Sequence, residues 1–121
     1  MIVGIGTDIV QIGRLADSLE KIGSRAFTPN ELAYAESFRD SAAHLAGRWA
    51  AKEALAKALG CGFGGKCAWQ DIEIVNDEAG KPVMSLSGTA RETFCSLGGK
   101  KIHLSISHEK DYATAFVILE D

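Results

Sequence analysis

Glu53 and Lys57 are the first residues whose types and spacing could do chemistry, set in Gly47-Arg-Trp-Ala-Ala-Lys-Glu-Ala-Leu-Ala-Lys-Ala-Leu-Gly60. At about 3.6 residues per turn they project about 40° apart on one helix face, which they share with Ala46, Trp49, Ala50 and Gly60. A carboxylate flanked by such small residues is poorly hydrated. It must be neutralised, ion-paired or bound to a metal, because an isolated buried charge is strongly unfavourable. Spacing alone also describes an ordinary surface pair, worth roughly 0.2–0.5 kcal/mol. The opposite side carries Leu45, Leu55 and Leu59 with Arg48 and Lys52 between them, so the segment lacks a continuous polar face and is expected to be a central, largely covered helix.

Other residues offer further chemistry, each beside a plainer explanation. Asp8, at the end of Gly4-Ile-Gly-Thr-Asp8, is either an oxygen ligand or an N-cap for the next helix. Arg48 lies about 140° around the helix from Glu53, too far to share a metal with it, and calls for another anion. The run Gly60-Cys-Gly-Phe-Gly-Gly-Lys66 can bring backbone N–H groups close to phosphate oxygens, or it is simply a turn. It lacks the GxxxxGK[ST] pattern of a P-loop. His108 falls at a hairpin turn, where a histidine is commonly just exposed.

These side chains need elements to position them. Residues 2 to 10 read as a strand with Gly4, Gly6, Asp8 and Val10 on one face, where the glycines leave room for a close-packed helix or a ligand. Residues 11 to 22 read as a helix presenting Ile12, Leu15, Leu19 and Ile22, ended by Gly23. Thr28-Pro-Asn-Glu31 supplies an N-cap, a first-turn proline and a capping-box acid for a second helix to about Ser37, which explains Glu31 as a cap. The long helix spans about 41 to 59. Residues 68 to 76 alternate as a strand, with Ile72 and Ile74 inward, and turn around Gly80 into a strand near 83 to 86. Ser87 is expected to cap a fourth helix over about 89 to 97, closed by Gly98-Gly99. Strands at 101 to 107 and 112 to 119 pair across His108-Glu-Lys-Asp111, and the last, apolar on both faces, belongs in an interior or doubly covered position. The pattern predicts an α+β fold, with a small antiparallel sheet packed on a long central helix.

Length and charge narrow the function. With 121 residues and 46% hydrophobic content, a single compact domain over 1 to 121 is expected. A net charge of −3 provides no overall cationic field for nucleic acid or an anionic membrane. Arg14, Lys21 and Arg25 nevertheless give the first helix a basic character, or simply a solvated face. Cys61, Cys67 and Cys95 show neither zinc spacing nor a disulfide framework, so a reducing compartment is expected. Without a charged leader or a run of ~20 apolar residues, a cytoplasmic location is expected.

Three motifs, in order, resemble one known family. Arg48-Trp-Ala-Ala-Lys-Glu53-Ala-x-x-Lys57, preceded by Leu45-Ala-Gly47, resembles the helix motif of the 4'-phosphopantetheinyl transferases. Gly4-Ile-Gly-Thr-Asp8-Ile-Val resembles the first motif of that family, and Ser105-Ile-Ser-His108-Glu-Lys-Asp-Tyr112-Ala resembles its last. The small holo-acyl-carrier-protein synthase type fits best. The resemblance implies transfer of the phosphopantetheine arm of coenzyme A to a serine of apo acyl carrier protein, releasing adenosine 3',5'-bisphosphate.

It further implies Mg²⁺ held by Asp8 and Glu53, with Glu53 and Lys57 catalytic. Coenzyme A would meet Arg48, Lys57, Gly60 and His108, with Arg48 and His108 toward its 3'-phosphate. Arg14 would meet the acidic recognition helix of the carrier. A homotrimer is implied too, letting one subunit's helix and another's hairpin build a shared site. Trp49 stands where phenylalanine is common in this family, and Cys61 where threonine is frequent. A coenzyme A or carrier-binding module without transfer activity, or a structural trimer with an internal ion network, is the competing expectation.

Overall fold

A computed structural model describes residues 1–121. Its elements run β1 (Ile2–Gln11), α1 (Ile12–Ala26), α2 (Pro29–Glu36), α3 (Ser41–Leu59), β2 (Ile72–Asn76), β3 (Pro82–Leu86), α4 (Gly88–Ser96), β4 (Lys101–His108) and β5 (Tyr112–Glu120). Strands β1, β5 and β4 form an antiparallel sheet with β5 in the middle, while β2 and β3 form a separate hairpin. The architecture is α+β.

The glycine face of β1 determines how the layers meet. A Cβ at Gly6 would overlap the Ala54 carbonyl, and one at Gly4 would overlap that of Ala58, so the α3 backbone rests directly on the strand. Alanines make the same close approach possible from the helix side. Ala50, Ala51, Ala54 and Leu55 bury against Ala115, Val117 and Leu119 of β5. Most of α3 is buried, as its apolar surround requires. Full burial of Leu55, Val117 and Leu119 contributes about 1.5–3 kcal/mol each. A second core gathers Leu15, Phe27, Ala35, Leu45 and Ala46 where α1 and α2 cross α3.

Three local expectations are corrected. Gly23 does not end α1, which continues to Ala26; glycine costs a helix only about 1 kcal/mol, and the last turn delivers Ala26 and Phe27 to the core. The strand expected from residue 68 begins at Ile72, because Trp69–Asp71 form a 3-10 turn in which the Asp71 carboxylate accepts the Ala68 N–H. Ser87 occupies the N-cap position of α4 without capping it. That role falls to Asp71, which accepts from the Thr89 hydroxyl at 2.8 Å and the Ala90 N–H at 3.2 Å. Burial opposes charge on Asp71, but these hydrogen bonds outweigh it and hold the carboxyl below its ordinary range.

Strand β5 is central, as its apolar faces require, yet only one face is covered within the chain. Ala113, Ala115, Val117 and Leu119 are buried toward α3. On the other side Tyr112 and Phe116 remain open, beside Ile5 and Ile9 of β1.

Candidate active site

Strand β1 and helix α3 run so that rising numbers along one meet falling numbers along the other: Gly4 lies at Ala58, and Gly6 reaches Ala54. Asp8 is next on that face, two residues and about 6.6 Å further along. There the Lys57 ammonium donates to Asp8 Oδ1 at 3.2 Å and to the Thr7 carbonyl at 3.0 Å. The Asp8 side chain is 15% exposed and that of Lys57 54%. Glu53, one turn before Lys57, is half-buried. Burial raises its carboxyl above the ordinary range, the nearby Asp8 charge raises it further, and Lys57 pulls it back. Asp8 and Glu53 therefore repel one another at a partly dry edge, where the Lys57 ammonium pairs with Asp8 and also offsets the charge of Glu53. The N-cap alternative for Asp8 is not realised, since Gln11 occupies that position of α1.

A second group lies around the helix. Arg48 is buried, with its guanidinium 4.6 Å from the centre of the Tyr34 ring and its Nη2 donating to Asn76 Oδ1 at 2.7 Å. Its Nε is buried without a partner. Burial pushes this guanidinium down, against Glu31. Arg48 and His108 border one cavity of about 300 Å³ that opens between α3, β4 and the β2–β3 turn. They therefore meet within one chain, and their companionship needs no second copy.

The family model for the 4'-phosphopantetheinyl transferase superfamily matches residues 4–117. The chain belongs to that superfamily. A holo-[acyl-carrier-protein] synthase of Geotalea daltonii is 48% identical over 124 residues, covering 99% of each chain. Among solved structures, a holo-[acyl-carrier-protein] synthase from Neisseria meningitidis superposes with a TM-score of 0.89 at 38% identity, covering 100% of both chains. Another, from Bacillus anthracis in complex with CoA (3',5'-ADP), gives a TM-score of 0.85 at 40% identity, covering 98% of this chain and 96% of its own.

Within this superfamily member, Asp8, Glu53 and Lys57 converge at one edge, Arg48 and His108 at one cavity, and the two groups are separate. Gly60 ends α3 in the left-handed region at φ 77°, with its N–H donating to the Lys57 carbonyl. It lines a different cavity, with Cys61, Lys66 and Thr93. Arg14 is exposed on α1, away from any ion pair.

The most buried charge in the central helix is neither Glu53 nor Lys57. It is Lys52, fully buried and 2.7 Å from Glu31 Oε1, which is itself 1% exposed. Glu31 does form the expected capping box with Thr28, but it also accepts the Ile74 N–H at 2.9 Å. The cap explanation was therefore incomplete. The Lys52 ammonium further donates to the carbonyls of Ala26 and Trp69, so every charge in this knot is satisfied. The placement of Lys52 between Leu45, Leu55 and Leu59 was the available signal. The same holds for His44, which lacks a motif yet borders the Arg48 cavity.

Proposed function

We propose that this chain transfers the 4'-phosphopantetheine arm of coenzyme A to a serine hydroxyl of apo acyl carrier protein, acting as a holo-acyl-carrier-protein synthase. The observation that carries this reading is the meeting of Asp8, Glu53 and Lys57 at the β1–α3 edge of a chain in this superfamily. The serine oxygen forms a bond to the phosphorus of the arm as the pyrophosphate bond breaks, and adenosine 3',5'-bisphosphate leaves. Relatives that carry the synthase name over their full length, one of them in complex with CoA, support this assignment.

The donor set fits a hard divalent cation. Two carboxylates, Asp8 and Glu53, whose charges act on one another suit an ion that keeps waters and takes substrate oxygens. Asp8 and Glu53 would hold Mg²⁺, which neutralises charge on the pyrophosphate when bound. Lys57, half exposed beside them, stabilises charge on the transferring phosphoryl group. Glu53 and Lys57 are the side chains placed to move the serine proton. Arg48 and His108, which border one cavity, take the ribose 3'-phosphate, and the Gly60 turn guides the pyrophosphate end. Arg14, exposed on α1, meets the acidic face of the carrier.

A homotrimer belongs to the same proposal. Arg48 and Glu53 lie on different sides of α3, so one coenzyme A reaches both phosphate sites most readily across a subunit boundary. The bare outer face of the sheet supports this assembly: Ile5 and Ile9 are 59% and 68% exposed, with Tyr112 and Phe116 alongside at 45% and 41%. We place the activity in the cytoplasm. No helix is long and apolar enough to cross a membrane.

The test is incubation with coenzyme A, Mg²⁺ and an apo carrier protein, read as a gain of the arm's mass on the carrier. Chelating the metal is expected to stop the gain. Coenzyme A binding without mass gain would instead identify a module that has lost transfer.

A further inference from the structure

The cavity of about 300 Å³ beside α3 is bordered by three side chains able to carry positive charge, His44, Arg48 and His108, together with Tyr34 and Asn76. No carboxylate lines it. Behind this lining, the buried Arg48 Nε has no hydrogen-bond partner in the chain. His44 sits one turn before Arg48 and its ring centre is 6.2 Å from that of His108. Stacking on Phe38 at 3.9 Å and an edge contact to Tyr34 at 5.9 Å fix the ring. The Asp40 carboxylate is 3.5 Å from Nε2, longer than a good hydrogen bond, so the ring is not tied up by it.

We infer that His44 is a third anion-binding side chain of this cavity, and that it determines how strongly the protein separates a phosphate monoester from its dephosphorylated counterpart as pH changes. This rests on the proposed function, in which the monoester is the 3'-phosphate of coenzyme A. The groups facing His44 are Asp40 from the preceding turn, Arg48 on its own helix, His108 from β4 and Tyr34 from α2. Burial lowers its proton affinity below the ordinary histidine range; Asp40 raises it, and Arg48 and His108 lower it again. Without ligand, His44 is therefore neutral at neutral pH. A dianionic phosphate reverses the balance, so His44 takes up a proton on binding and adds a charge-assisted hydrogen bond.

The experiment measures Kd for coenzyme A and for dephospho-coenzyme A, with the wild type and His44→Gln, at about pH 6.5 and pH 8. The preference of the wild type for coenzyme A should fall roughly tenfold in His44→Gln at the lower pH and little at the higher. Titration of the phosphate itself is common to both proteins and cancels. Equal preference in the two proteins at both pH values overturns the inference, as does equal weakening of both ligands, which marks a merely structural residue. Failure of the wild type to bind coenzyme A at all refutes the proposed function instead. An NMR titration of the wild-type His44 ring needs no variant: 3',5'-ADP should raise its pKa and adenosine should not, and identical behaviour with the two contradicts the role.

Discussion

Lys57 Nζ stands 3.2 Å from Asp8 Oδ1 across 49 residues of chain, joining the first strand to the central helix at the edge where Glu53 also lies. The pair is solvent-accessible on the lysine side, so its worth to stability is about 0–1 kcal/mol. In the proposed mechanism Lys57 supplies a positive charge beside Asp8 and Glu53. Lys57→Ala is expected to lower transfer about 100-fold or more while leaving the melting temperature nearly unchanged. Steady-state rates and thermal unfolding of the same preparation check this. A variant that melts early yet keeps its turnover would contradict it.

Charge on Glu53 is disfavoured by its surroundings. Burial and the charge on Asp8 both disfavour its carboxylate. Glu53→Gln removes that repulsion, so the metal-free variant should melt at the same temperature as the wild type or a few degrees higher, while transfer is lost. Adding Mg²⁺ and coenzyme A should stabilise the wild type and not the variant. Thermal unfolding with a chelator and then with both ligands reads out each half.

The Lys52–Glu31 knot behaves oppositely, because its charges are fully buried and fully partnered. Glu31→Ala strands the Lys52 ammonium and leaves the N–H groups of Thr28 and Ile74 without their acceptor. A loss of about 3–5 kcal/mol in urea unfolding is expected. A loss below about 1 kcal/mol would show that water or another acceptor replaces the carboxylate.

Local signals and distant ones were unequally legible in this sequence. The capping box at Thr28, the glycine face of β1 and the length of α3 are written in adjacent residues, and each stands where expected. Motif resemblance singled out Asp8 and Glu53, and both lie at the Lys57 edge, where metal binding is the proposal. The leucines around Lys52 are the one sequence signal for its burial, and a helix apolar nearly all round leaves that signal weak against Lys57. The choice is made by Glu31, 21 residues away. Asp71 capping α4 in place of Ser87, and His44 reaching the Arg48 cavity, are likewise decisions of tertiary contact.

Asp71 gives a pH prediction. Its folded pKa lies below its unfolded value of 3.8, so its contribution is fully present above that value and lost as pH falls through the folded pKa. Asp71→Asn keeps an acceptor oxygen and removes the charge, so it should cost about 1 kcal/mol at neutral pH, the margin of a charge-assisted over a neutral hydrogen bond. The gap between wild type and variant should close on going from about pH 5 to below pH 3. Urea titrations across that range measure it, and a gap that stays constant would remove the ionised cap from the account.

The most direct measurement counts divalent ions. Mn²⁺, a paramagnetic stand-in for Mg²⁺, is titrated into the protein with coenzyme A present, and bound ion is followed by electron paramagnetic resonance. One tight Mn²⁺ per chain is predicted for the wild type, lost in both Asp8→Ala and Glu53→Gln. Wild-type binding of Mn²⁺ in either variant would contradict a shared cation between these two carboxylates.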